Sequence, residues 1–136
     1  QAAFLRVKLR ALRTWNARRA AWVEQYRSAL GEPFELVELQ PSAASANHLF
    51  VIRTEDRAGL QAHLADTGVG SQIHYPVPCH LQGAFAGLYE PGAFPTTERA
   101  AEQILSLPMG PHLGDGNASK VIERVLEWPD LESKGR

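Results

Sequence analysis

Residues 2–30 contain neither glycine nor proline, the longest stretch in the chain without a helix breaker. Within it Leu5, Leu9, Leu12, Val23, Tyr26 and Leu30 recur at helical spacing, with Trp15 and Trp22 beside that stripe. An apolar stripe of this kind is the pattern of an amphipathic helix. Gly31 suits a left-handed cap and Pro33 cannot continue a helix, so the spacing predicts one helix over 2–30. At 1.5 Å per residue, about 29 residues reach roughly 43 Å. A compact body of this chain's length has a diameter near ~37 Å. Phe4, Leu5 and Val7 in the first turns would therefore lack partners within so small a body, and a neighbouring domain or subunit is expected to meet them. The chain opens on Gln1 with no capping residue ahead of the helical pattern, which reads as a cut rather than a natural start.

The remainder alternates short strand and helix patterns. Phe34 to Leu39 reads as a strand, and a Ser/Ala-rich loop follows. His48 to Thr54 (HLFVIRT) reads as a strand apolar on both faces, because Leu49, Phe50, Val51 and Ile52 are consecutive. Asp56 is placed to cap a helix through Asp66, with Leu60 and Leu64 inward and Gly68 as the stop. Val69 to Tyr75 reads as a third strand, and Pro76 to Pro95 as irregular chain. A short helix from Thr96 or Thr97 should bury Ala100, Ala101, Ile104 and Leu105, and Leu105 to Met109 looks extended. A last helix spans about Asn117 to Trp128, with Val121, Ile122, Val125 and Leu126 as its apolar face. Pro129 ends it, ahead of a tail to Arg136 expected to be disordered. The expected fold class is α/β of the α+β-like kind: a small, mainly antiparallel sheet with helices on one face. Residues 1–31 form the long connecting helix, 32–128 the small domain and 129–136 the tail.

Charge and cysteine content exclude several functions. With 14 Lys and Arg against 15 Asp and Glu, the net charge is −1, without the basic footprint of a nucleic-acid binder. Arg6, Lys8, Arg10, Arg13, Arg18 and Arg19 spread around the long helix as a solvated face. No apolar run has the length of a membrane span, so no membrane partner is expected. The single cysteine, Cys79, permits no internal disulfide and suits a reducing, cytoplasmic setting.

Polar groups that suit chemistry concentrate in His74-Tyr75-Pro76-Val77-Pro78-Cys79-His80-Leu81-Gln82. Its prolines hold an extended backbone just after a strand, a stiff edge suited to a ligand wall. His74, Tyr75, His80 and Gln82 offer donors, acceptors and stacking surface, although an ordinary polar loop has the same composition. The spacing of His74, Cys79 and His80 matches no structural zinc pattern, so no metal is expected. Cys79 lacks an obvious base and reads as a small apolar residue. His48, His63 and His112 read as structural. Neither GxGxxG nor a Walker A sequence is present, and Gly110, Gly114 and Gly116 read as an ordinary loop.

The segments QAAFLRVKLRALRTWNARR, HLFVIRT, LQAHLADTGVGSQIHYPVPCHLQ and ERAAEQILSLPMGPHL follow one another in that order. Together they resemble the sugar-nucleotide aminotransferase family of DegT/DnrJ/StrS type, and the resemblance covers about residues 1–127. The pairing of IHYPVPCHLQ with the later LSLPMGPHL is what makes it specific. The resemblance implies the C-terminal domain of an aspartate aminotransferase fold, following a large domain that binds pyridoxal phosphate (PLP). It implies amination of nucleotide-linked keto-sugars, usually from glutamate, at a homodimer interface, with a large-domain lysine as the Schiff base and PLP as the electron sink. The only lysines here, Lys8, Lys120 and Lys134, do not match that lysine's context. The chain alone is therefore expected neither to hold PLP covalently nor to transaminate, and no catalytic residue is assigned to it.

By the same resemblance His74 and Tyr75 lie near the active-site mouth and orient the sugar nucleotide, with His80 and Gln82 in the same motif. Gly114-Asp115-Gly116-Asn117-Ala118-Ser119 departs from the family's tighter Ser/Thr-Asp helix start. Cys79 stands where an aliphatic residue is common in the family. Two other readings stay open: a PLP-dependent sugar dehydratase on the same scaffold, and a stand-alone domain that binds a ligand or a partner protein.

Overall fold

In the computed structural model, residues 1–32, 34–38, 40, 42–114 and 116–128 are described. The helical run begins as α1 (Ala2–Leu9) and resumes as α2 (Leu12–Ala29) rather than forming one helix. Arg10 and Ala11 keep right-handed helical torsions. Their N–H groups bond three residues back, to Val7 and Lys8, so the helix tightens to 3₁₀ geometry for one step. All of α1 is exposed, with Phe4 at 77%, whereas α2 buries Trp22 and Tyr26, and Leu30 behind it. Only the second half of the predicted stripe thus enters the core.

The end of α2 also differs from the glycine cap expected at Gly31. The chain leaves the helix at Leu30, which turns extended (φ −102°, ψ 106°) while its N–H still bonds Tyr26 O at 2.8 Å. Leu30 is fully buried, so anchoring its side chain sets the exit without a left-handed residue. Pro33 lies outside the described residues, as do Leu39, Pro129 and the tail.

The sheet has three antiparallel strands in sequence order: β1 (Glu35–Leu36), β2 (Phe50–Arg53) and β3 (Ile104–Leu107). Phe50 pairs with Leu107 and Ile52 with Leu105, which puts four apolar side chains on one face. That face joins Tyr26 of α2, Leu60 and Leu64 of α3 (Arg57–Asp66), and Val121 and Val125 of α5 (Asn117–Leu126) in one buried cluster. Removing one fully buried member, as in Leu105→Ala, costs about 2–5 kcal/mol. β2 was expected to be apolar and covered on both faces, but Leu49 precedes the strand and is exposed, and Val51 is only half-buried. The opposite face carries Arg53, which donates to Glu35 (2.6 Å) and Gln103 (2.7 Å).

α3 is capped as expected: Asp56 accepts from Gly59 N at 2.9 Å, and Gly68 takes φ +80° past the helix end. The segment 69–75 does not form the expected strand. It pairs with β3 only at Gln72 and Ser106, through bonds of 3.1 and 2.7 Å. Proline lacks the donor a ladder needs, and Pro76 and Pro78 follow at once. α4 (Pro95–Gln103) starts on its proline and buries Ala101. It runs straight into β3, so Ile104 and Leu105 belong to the strand rather than to the helix. On α5, Ala118, Val121 and Val125 are buried and Ile122 partly so, whereas Leu126 is exposed because its side faces away from that cluster. Among the described residues no helix is long and apolar enough to cross a membrane.

Candidate functional site

Gly68 turns the chain back after α3, and Val69 enters the core with its N–H on Leu64 O at 2.7 Å. That return delivers residues 70–74 along the outer edge of β3. A cleft of about 440 Å³ opens there. It lies between His48 and Leu49 before β2, the stretch Gly70–Gln72 with His74, and Ser106 to Met109 at the end of β3. Its polar groups include His48, Ser71, His74 and Ser106. The buried Ser71 hydroxyl has no hydrogen-bond partner among the described residues.

His74 is half-buried, and its Nδ1 meets Ser106 Oγ at 2.9 Å. Ser106 is itself buried and paired with Gln72, so the imidazole is held at the cleft wall with Nε2 as its second polar atom. Tyr75 follows through a cis peptide bond, edge-on to the His74 ring at 5.6 Å and 71% exposed. Of these two expected site residues, His74 lines the cleft, whereas Tyr75 stands beside it in ring contact and outside the lining. A second support lies at the far side of the cleft, where the Tyr26 hydroxyl donates to Pro108 O at 2.8 Å.

The other two expected residues are placed differently. His80 sits on a 3₁₀ turn, Cys79–Leu81, and is only 9% exposed. Its Nε2 lies 3.0 Å from Glu98 Oε1, and its ring packs edge-on against Phe94 (4.8 Å) and Tyr89 (6.3 Å). Gln82 is exposed and donates to Val77 O at 3.4 Å, bracing its own loop. Neither lines the cleft. Cys79 is exposed while its neighbour His80 is buried.

Glu98, which the sequence did not single out, organises this second cluster. Its carboxylate accepts from Gly92 N (2.9 and 2.8 Å) and Phe94 N (3.2 Å) as well as facing His80. The Gly92 N–H first, then His80 and the Phe94 N–H, hold its carboxyl below the usual carboxylate range. An acidic residue in the first turn of a proline-started helix was the available signal. Ser106 and His48 carried no comparable signal, since their roles depend on strand pairing and loop placement. His63 and His112 are structural: His63 Nε2 lies 2.8 Å from Arg124 O, joining α3 to α5, and His112 stacks edge-on to Trp15 at 5.2 Å.

Among the described residues the cleft contains no lysine, and Lys8 and Lys120 are both exposed outside it. Its residues therefore do not fit the covalent holding of an aldehyde cofactor such as PLP. Among the described residues no three His, Cys, Asp or Glu side chains are placed to hold a metal ion. What the cleft offers is hydrogen bonding, with the exposed Tyr75 ring against His74, the means of orienting a polar ligand.

Residues 1–126 match the DegT/DnrJ/EryC1/StrS aminotransferase family. The erythromycin biosynthesis sensory transduction protein EryC1 of Saccharopolyspora erythraea is 51% identical over 125 residues, covering 90% of this chain and 34% of that protein. The dTDP-3-amino-3,4,6-trideoxy-alpha-D-glucose transaminase of Streptomyces venezuelae is 45% identical over 133 residues, covering 96% and 35%. Among solved structures, S. venezuelae DesV superposes with a TM-score of 0.89 at 44% identity, over 94% of this chain and 35% of that one. A DegT DnrJ EryC1 StrS aminotransferase from Brucella abortus superposes at 0.84 with 34% identity, over 100% and 35%. The chain thus spans about a third of the length of the curated relatives it matches.

Proposed function

The chain belongs to the DegT/DnrJ/EryC1/StrS aminotransferase family, and from that membership we propose that it is the substrate-facing C-terminal part of a PLP-dependent sugar aminotransferase. In the whole protein an amino group passes, with glutamate as donor, to a keto-sugar linked to a nucleotide. PLP supplies the electron sink and is held by a lysine of a preceding domain. This chain contributes orientation rather than proton transfer. His74, fixed by Ser106, presents a ring nitrogen to the sugar nucleotide, and the Tyr75 ring and hydroxyl flank it. His80 and Gln82 belong to the same segment and support it from behind. The exposed side chains of α1, including Phe4, Leu5, Val7 and Leu9, are the surface that meets the preceding domain, and the active protein is a homodimer working in the cytoplasm.

The observation that carries this reading is the placement of His74 in the wall of a polar cleft with the exposed Tyr75 ring against it, in a chain 45% identical to a named sugar transaminase. The test is transfer of ¹⁵N from labelled glutamate to a dTDP-linked keto-sugar, followed by mass spectrometry. The protein carrying this chain together with a PLP domain transfers the label, and the 136-residue chain with added PLP does not. Transfer by the short chain alone would remove the proposal that the cofactor lysine lies elsewhere. Loss of water from the sugar without transfer of label would favour a dehydratase.

A further inference from the structure

The span from Tyr75 to Cys79 is suspended between two histidines. On one side His74 Nδ1 meets Ser106 Oγ at 2.9 Å, and on the other His80 Nε2 meets Glu98 Oε1 at 3.0 Å. Both anchor points belong to one continuous piece of chain, because α4, which carries Glu98, passes without a loop into β3, which carries Ser106. Pro76 and Pro78 stiffen the span itself. Tyr75 and Val77 project from it and are exposed, so the fold holds them not through burial but through the ends of the span, with Gln82 bracing it at Val77 O.

The two anchors are unequal. Ser106 is buried and fixed in the sheet, whereas the His80 anchor rests on the Glu98 carboxylate, which also gathers the N–H groups of Gly92 and Phe94. Phe94 and Tyr89 close around the His80 ring, so the carboxylate ties the irregular chain between Cys79 and Phe94 to the first turn of α4.

We propose that Glu98 and His80 are positioning residues for sugar-nucleotide binding: without touching the ligand, they clamp the far end of the span that presents Tyr75. This inference rests on the reading of His74 and Tyr75 given above. A span fixed at both ends loses little freedom when ligand binds, and release of one end transfers that ordering cost to binding. The clamp therefore acts on affinity for the sugar nucleotide. It leaves the reaction with glutamate, which does not need the sugar wall, unchanged.

The test uses the whole protein that carries this chain, with dTDP-3-amino-3,4,6-trideoxy-α-D-glucose as the probe. Glu98→Ala and His80→Ala are expected to weaken probe binding by about 5- to 20-fold, with kcat and the glutamate KM within about twofold of wild type. His80→Gln, which keeps an N–H directed to Glu98, restores most of the affinity. Glu98→Gln, with one acceptor oxygen left, is intermediate. Hydrogen exchange supplies a readout independent of ligand: Glu98→Ala speeds exchange at the Leu81 and Gln82 amides, which bond back to Pro78 O and Cys79 O, and leaves α5 unchanged. Probe affinity unchanged in Glu98→Ala, unaltered exchange at Leu81 and Gln82, or equal losses in the glutamate and sugar reactions would each overturn the clamp. Substitution of His74 and Tyr75 separates the two readings. If those substitutions weaken binding and Glu98→Ala does not, only the clamp fails. If wild type does not bind the probe, or they too have no effect, the substrate-wall reading fails and the clamp with it.

Discussion

Replacing Tyr26 by phenylalanine removes one oxygen from the centre of the fold and leaves the packing in place. Tyr26 is fully buried, lies 4.7 Å from Phe50 and 6.0 Å edge-on from Trp22, and reaches Pro108 O at 2.8 Å. The hydroxyl thus joins α2 to the segment after β3. Its hydrogen bond contributes a net ~1 kcal/mol, and the half-buried Pro108 carbonyl left behind adds up to about 1 kcal/mol more. Tyr26→Phe should therefore cost about 1–2 kcal/mol, whereas Tyr26→Ala, which also empties the ring site, should cost about 4–6 kcal/mol. Urea unfolding of the 136-residue chain reads both, as a lowered midpoint with an unchanged m-value. The pH dependence supplies a second check. Burial raises the Tyr26 phenol above its ordinary range, so the phenol ionises first in the unfolded chain. Its contribution is full below about pH 10 and is lost as pH rises beyond that value, a loss Tyr26→Phe does not share. A Tyr26→Phe cost below ~0.3 kcal/mol, or one equal to that of Tyr26→Ala, would refute the assignment of a hydrogen bond across the core.

Three further outcomes follow from the same geometry. Asp56→Ala removes the cap on Gly59 N and should cost about 1 kcal/mol; Gly59→Ala, ordinarily a gain in a helix, should gain nothing, because a Cβ there meets the Asp56 carboxylate at 2.2 Å. Thermal unfolding of the two variants compares them directly. The hydrogen bonds that depress the Glu98 pKa stabilise the fold above the ordinary carboxylate value of ~4.3, and that contribution is lost as pH falls through the lower folded value; acid unfolding of Glu98→Ala should lack this component. Serine at Phe4 and Leu9 on exposed α1 should change the stability of the 136-residue chain by less than ~0.5 kcal/mol in urea and reduce self-association in sedimentation.

Local chemistry made much of the fold legible. Asp56 followed by Gly59 N, the stop at Gly68, and the pairs Leu60 with Leu64 and Val121 with Val125 are decided within a turn or two of helix, where sequence spacing is the relevant geometry. The break in the long first helix is not marked by glycine or proline, because Arg10 and Ala11 change hydrogen-bond register within the helical region. The segment 69–75 has strand composition, but beside a β3 of only four residues it bonds at Gln72 alone before Pro76 and Pro78 remove further donors. At the candidate site, the stiff polar segment holding His74, Tyr75, His80 and Gln82 was recognisable, with the four residues alike. The partition of His80 into a buried cluster was not, because Glu98, Phe94 and Tyr89 approach it from later chain. Ser106 was hidden for the same reason: a serine between leucines acquires its role only when His74 is laid against it.

His74 and Tyr75, read as the wall that binds a sugar nucleotide, should both contribute to its affinity. Calorimetric titration of the whole protein and its His74→Ala/Tyr75→Ala variant with dTDP-3-amino-3,4,6-trideoxy-α-D-glucose measures that contribution. Loss of one hydrogen bond from each side chain, at ~1 kcal/mol apiece, predicts a Kd about 30-fold weaker. The same Kd in both proteins would contradict it.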